Sequence, residues 1–110
     1  MATAYLTKQA AGTGSTATYS TLYSTGASTT AVVSSIIIAN EAASGVTVRV
    51  GLAASATTPA SGAFLLYDRV VPANDTLILN LPVTLGNTTF IRVSSSAATC
   101  SFTAAVAEIS

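Results

Sequence analysis

The stretch Arg69–Val93, RVVPANDTLILNLPVTLGNTTFIRV, decides the fold class. In TLILNLP, Leu77, Leu79 and Leu81 alternate with Thr76, Ile78 and Asn80. A period of two marks a strand with one face turned to a core. VPAND comes before it. Pro72 suits a turn position that needs φ near about −65°, and the short side chains of Asn74 and Asp75 bond back to their own backbone. Pro82 ends the ladder, because proline has no N–H to donate. Gly86-Asn87 reads as a tight hairpin turn into another strand, TTFIRVSS. The residue types here serve shape, and almost none serves chemistry.

The same grammar extends outward. GVTVRVGL places Val46, Val48 and Val50 inward and Thr47 and Arg49 outward. AASATTPASG is a loop around Pro59 and Gly62, followed by the strand AFLLYDRVV. TTAVVSSIIIAN is apolar on both faces, with Val32, Ile36 and Ile38 on one and Val33 and Ile37 on the other, which predicts a strand buried on both sides. CSFTAAVAEI is the last strand, and Cys100 in it reads as a small apolar strand residue. No segment after Thr18 carries a 3.6-residue period. The expectation is one all-β domain, a single antiparallel β-sandwich, Ig-like or jelly roll, of about seven to eight strands.

The first residues read differently. Residues 1–18 are rich in Ala, Thr, Ser and Gly, too polar and small-sided for a core of their own. They are expected to form an extended N-terminal arm, with residues 19–110 as the sandwich. Ordering such an arm costs about 1–2 kcal/mol per residue in backbone entropy. Strand addition to a neighbouring subunit or an underlying shell would offset that cost. Tyr5 and Leu6 are its expected apolar anchors. In TYSTLYS, Tyr19 and Tyr23 share a strand face and are expected as further partner contacts.

Composition narrows function mainly by exclusion. Half of the 110 residues are hydrophobic but only 7% are charged, with zero net charge. Lys8, Arg49, Arg69 and Arg92 are scattered, so no basic patch awaits nucleic acid. A neutral, charge-poor surface tends to associate, and charge depletion marks interface cores. Apolar runs such as Ile36–Ala39 are far too short to cross a bilayer as a helix. The opening MATAYLTKQAAG lacks a basic leader before an apolar run, which predicts no secretion signal and synthesis in a host cytoplasm. Cys100 has no partner for a disulfide.

With no His, the commonest general base and metal ligand are missing. Glu41, Asp68, Asp75 and Glu108 are spread along the chain, and a Ser–Lys pair would have to use Lys8. No catalytic residue, cofactor or metal is expected. Asn74 and Asn87 match the glycosylation acceptor pattern but read as turn residues. Asn40, Asp68, Asn74 and Asp75 offer oxygens without the spacing of a calcium loop. Tyr5, Tyr19, Tyr23 and Tyr67 suit either sugar stacking or strand and interface packing.

Three stretches carry a resemblance: LYSTGASTTAVVSSIIIANEAASGVTVRV, YDRVVPANDTLILNLPVTLGNTTFIRVSSS and AAVAEIS. They are similar to a group of small tailed-phage virion proteins, through Leu22-Tyr23, Ala39-Asn40, Val71–Leu77 and Glu108–Ser110, over roughly residues 20 to 110. The resemblance implies a non-enzymatic virion structural protein. Its leading form is a capsid decoration or cement protein that binds the head surface as a homo-oligomer, a trimer by the habit of the group. The major capsid protein or other virion proteins would be its partners, with no nucleic acid and no membrane. A tail, neck or fibre component is the alternative, and a carbohydrate-binding host-attachment module is an alternative of another class.

Overall fold

The computed structural model describes residues 3–80 and 82–109. Among these residues there are nine strands and no helix: β1 (Thr3–Ala11), β2 (Ser15–Ser24), β3 (Thr30–Asn40), β4 (Val46–Ala53), β5 (Phe64–Val71), β6 (Thr76–Leu79), β7 (Val83–Leu85), β8 (Phe90–Ser95) and β9 (Cys100–Ile109). They form two antiparallel sheets. The larger runs β1-β9-β3-β6, with β7 also paired to β3, and the smaller runs β2-β8-β4-β5. The all-β sandwich expected from the alternation is what forms. Leu81 lies outside the described residues, so its expected inward place is not assigned.

The pairings nest. β4 pairs β5, β3 pairs β6 and β7, β2 pairs β8, and β1 pairs β9. The chain is thus one long hairpin, doubled at the β4–β5 turn and rolled into two layers. That connectivity is a jelly roll, one of the two sandwiches the sequence allowed.

Between the layers, Ile36, Ile38, Phe102, Ala104 and Val106 of the larger sheet meet Val46, Val48, Val50, Ile91 and Val93 of the smaller one, all buried. Each large apolar side chain buried this way contributes about 1.5–3 kcal/mol. Val46–Val50 alternate as expected. Leu77 and Leu79 are only half-buried against this core, because β6 is an edge strand.

Three expectations are corrected. First, β3 is buried on one face only. The β3–β9 register shifts between Val33 and Ser35, so Ala31 and Val33 face inward before the bulge and Ile36 and Ile38 after it. The extra residue swaps the faces, leaving Val32 half-buried and Ile37 exposed. Second, Gly86-Asn87 does not close a hairpin: β7 belongs to the larger sheet and β8 to the smaller. Thr25 secures this crossing, donating to the Gly86 carbonyl at 2.7 Å and accepting from the Thr89 amide at 2.9 Å. VPAND likewise carries the chain between sheets, with Asn74 at φ 54°.

Third, residues 1–18, expected as an extended arm held by a neighbouring subunit or shell, contribute β1 and the start of β2 to the chain's own sandwich. β1 pairs with β9 from Thr3↔Ile109 to Ala11↔Ser101, and Leu6 and Ala10 pack against the core. The ladder to β9 supplies the backbone hydrogen bonds sought from a neighbour. At the corner between β1 and β2, a Cβ on Gly12 would lie 2.5 Å from the Ala97 carbonyl oxygen, so only glycine fits this close approach.

Candidate functional site

Two outward faces remain, one per sheet. On the larger sheet the registers align Tyr5 with Ala107 and Val32, Thr7 with Ala105, and Gln9 with Thr103, Ile37 and Ile78. None of these outward positions is charged. Lys8 pairs with buried Ala104 and Glu108 with buried Ala31, so both stand on the core side of the sheet. The small side chains of Ala105 and Ala107 leave a groove of about 370 Å³, flanked by Tyr5 and Thr7 on β1 and by Val32 and Ser34 on β3. Tyr5 is 84% exposed and Ile78 55%. Outward β1 also has a free strand edge, since β9 is its partner in the sheet.

The smaller sheet carries the opposite chemistry. A cleft of about 470 Å³ is lined by Tyr19, Arg49, Pro59, Phe64 and Tyr67, with Thr58 and Ser61 from the preceding loop. Two local features shape it. Between Val48↔Arg69 and Val50↔Leu66 the β4–β5 register shifts, and Asp68 takes φ 52°. Such a bulge re-aims side chains, and here Tyr67 and Asp68 both emerge on the outside. Gly51 provides the floor: a Cβ there would lie 2.7 Å from Pro59 Cγ and 3.0 Å from Phe64 Cδ1.

Within the cleft, Arg49 is held on every side. Its Nε donates to Asp68 Oδ1 at 2.7 Å, one terminal nitrogen donates to Asp68 Oδ2 at 3.4 Å, and the other donates to the Thr16 carbonyl and the Tyr19 hydroxyl. Its guanidinium carbon lies 4.2 Å from the Tyr67 ring centroid, a cation–π arrangement. The bond to Asp68, then that to Tyr19, raises its already high pKa, so it stays charged. Phe64 meets Tyr67 edge-to-face at 4.8 Å and lies 6.3 Å from Tyr19.

The four expected contact residues are not brought together. Tyr5 stands on the larger sheet's outer face, Leu6 turns to the core and Tyr19 lines the cleft. Tyr23 is buried and its hydroxyl donates to Glu108, so its side chain is not presented at the surface. A register shift between Thr21 and Tyr23 separates it from the face of Tyr19. Burial, then the hydrogen bond and charge of Glu108, raise the Tyr23 phenol well above its usual value. Cys100 is buried, and burial, with Glu41 adding, raises its thiol. Among the described residues, no three His, Cys, Asp or Glu side chains gather as a metal site.

Sequence reasoning missed Asn40 as a structural residue. Its buried side-chain amide donates to the carbonyls of Ser44, Val71 and Pro72, each at 3.0 Å, while its oxygen accepts from the Ala42 amide. It ties the β3–β4 loop to the VPAND crossing. Polar Asn at the end of an apolar strand was the available signal. Asn87 likewise spends its side chain on the Ala27 carbonyl.

No known protein family matches the chain, and no curated protein matches it. Among solved structures it is similar to two crystal structures of a pentameric capsid protein isolated from metagenomic phage sequences, one of them solved by iodide phasing. Each shows 16% identity and a TM-score of 0.49 over 93% of this chain. The chain spans 59% and 60% of those proteins' lengths. At this level the likeness transfers no function.

Proposed function

We propose that this chain is a non-enzymatic structural protein of a tailed-phage virion, a jelly-roll decoration or cement protein that lies on the head shell as a homo-oligomer. The carrying observation is the larger sheet's outer face, where the aligned outward positions of β1, β9, β3 and β6 hold no charge. Charged residues are depleted in interface cores because desolvating them is costly. The molecule extends 45 by 25 Å in its longer dimensions, room for the roughly 800 Å² per partner of an ordinary interface. Tyr5, the groove beside Ala105 and Ala107, and the free edge of β1 are the proposed contacts. Many copies on one lattice turn modest contacts into firm attachment. The sequence resemblance supports the virion setting and the trimer.

The test pairs Ala105→Lys with Ile78→Lys, both at exposed positions. The double variant is expected to keep the β circular-dichroism spectrum and to lose both self-association in sedimentation and attachment to purified particles. Unchanged attachment removes the face from the reading, and absence of the wild-type protein from purified particles removes the virion role. Immunogold labelling separates head from tail, neck or fibre.

A further inference from the structure

The cleft on the smaller sheet faces away from the proposed shell contact and has no part in it. We propose that this cleft is a binding site for a neutral saccharide, a site of one or two sugar rings.

Three observations carry this. The lining combines flat apolar surface from Tyr19, Phe64 and Tyr67 with the hydroxyls of Thr58 and Ser61. A pyranose presents the same pair of surfaces, a C–H face and a rim of hydroxyls. Hydroxyl groups both donate and accept, so the rim is matched on either side. Tyr19 accepts from Arg49 at 3.2 Å, which leaves its own O–H free to donate into the cleft.

The charge is also accounted for. Arg49 is the charged residue of the lining and Asp68, from beside the cleft, offsets it at 2.7 Å, so an anion finds no free cation there and a cation meets the guanidinium. A neutral ligand meets neither penalty. The pair still does mechanical work: Arg49 lies over one face of Tyr67 and fixes the ring, which remains 56% exposed. Pre-set rings lower the ordering cost of binding.

The volume and ring spacing argue against an extended proline-rich peptide. Polyproline II repeats every three residues, about 9 Å. The rings here stand 4.8 and 6.3 Å apart within one compact cleft. A volume of about 470 Å³ lies in the small-ligand range.

The experiment uses the isolated full chain, ¹⁵N-labelled, and is independent of any particle. The probes are the methyl glycosides of glucose, galactose, mannose and N-acetylglucosamine, with glucuronate and a proline-rich peptide for contrast. At least one neutral glycoside is expected to shift the amides of Tyr19 and of the Thr58–Tyr67 segment saturably. Tyr67→Ala is expected to weaken that binding about tenfold, within the worth of an aromatic contact plus its buried area, and Tyr67→Phe to retain most of it. The remaining amide spectrum of Tyr67→Ala should match wild type, which separates loss of the ring from loss of the fold. No shift with any neutral glycoside overturns the proposal. So do shifts outside the cleft, binding of glucuronate or the peptide alone, or undiminished binding by a folded Tyr67→Ala.

Discussion

On the β1-β9-β3-β6 side, the positions turned from the core hold Thr, Ser, Ala, Val, Ile, Gln and Tyr. On the β2-β8-β4-β5 side they hold Arg49, Arg92, Tyr67 and Asp68, beside Thr47 and the exposed Val70. Both faces come from the same alternation of strand residues, so the difference is not one of architecture. On the larger sheet the small Ala105 and Ala107 leave an uncharged groove between Tyr5 and Val32. On the smaller sheet the two arginines bond to their neighbours: Arg92 donates to the Thr57 and Tyr19 carbonyls, as Arg49 does to Thr16. Side chains committed laterally hold a concave shape. A charge-poor chain has thus placed two of its four cations where they organise a cleft.

The comparison predicts a ranking of substitutions. The core serves both faces, so Phe102→Ala should cost about 3–5 kcal/mol in denaturant titration and erase both together. A loss below about 1 kcal/mol would mean that the layers do not share this residue. Asn40→Ala strands buried carbonyls at the crossing and should cost on the order of 1–3 kcal/mol, with Asn40→Asp worse, since it sets a carboxylate against those carbonyls. Equal stability of Asn40→Asp and wild type at neutral pH would refute that reading.

Tyr23→Phe removes one buried bond, worth about 1 kcal/mol at neutral pH. Its sharper signature is alkaline. The phenol's pKa is raised in the fold, so the folded state holds the proton more tightly than the unfolded chain. That stability is present below the unfolded value of about 10 and is lost as pH rises beyond it. Cys100, also raised, acts in the same sense. Melting temperatures should fall less steeply from pH 7 to pH 11 in Tyr23→Phe than in wild type; parallel slopes would mean that burial and Glu108 do not raise the phenol in the fold. Smallest of all, Thr88 is a β-branched residue at φ 51° in the β7–β8 crossing. Thr88→Asn should stabilise by about 0.5–1 kcal/mol, leaving both outward faces unaltered.

How far the sequence could be read depended on distance. Alternation in Val46–Val50 is a local signal, and the sheet obeyed it. The bulge at Ser34 was hidden, because one inserted residue reverses the faces without leaving a Gly or Pro as a mark. Gly86-Asn87 marked the end of a strand but not a hairpin, because local chemistry does not say which sheet receives the next strand. The uncharged plane was foreshadowed by composition, although not by position. The cleft was least legible. Tyr19, Arg49, Pro59 and Tyr67 come from separate segments, and only the roll of the chain, with the bulge at Asp68, brings them together.

The nesting of the strands also governs when each can form. Pair separation grows from Gly51↔Phe64 through Ile36↔Leu79 and Ser20↔Val93 to Thr3↔Ile109. High contact order of this kind places folding in the range of roughly milliseconds to seconds. On the ribosome β1 is made well before β9, the strand it pairs with. At about 5–20 residues per second, β1 waits several seconds with both edges open until its own β9 emerges. A β9 from another copy offers β1 the same backbone ladder, so strand exchange is the alternative to closure during that wait.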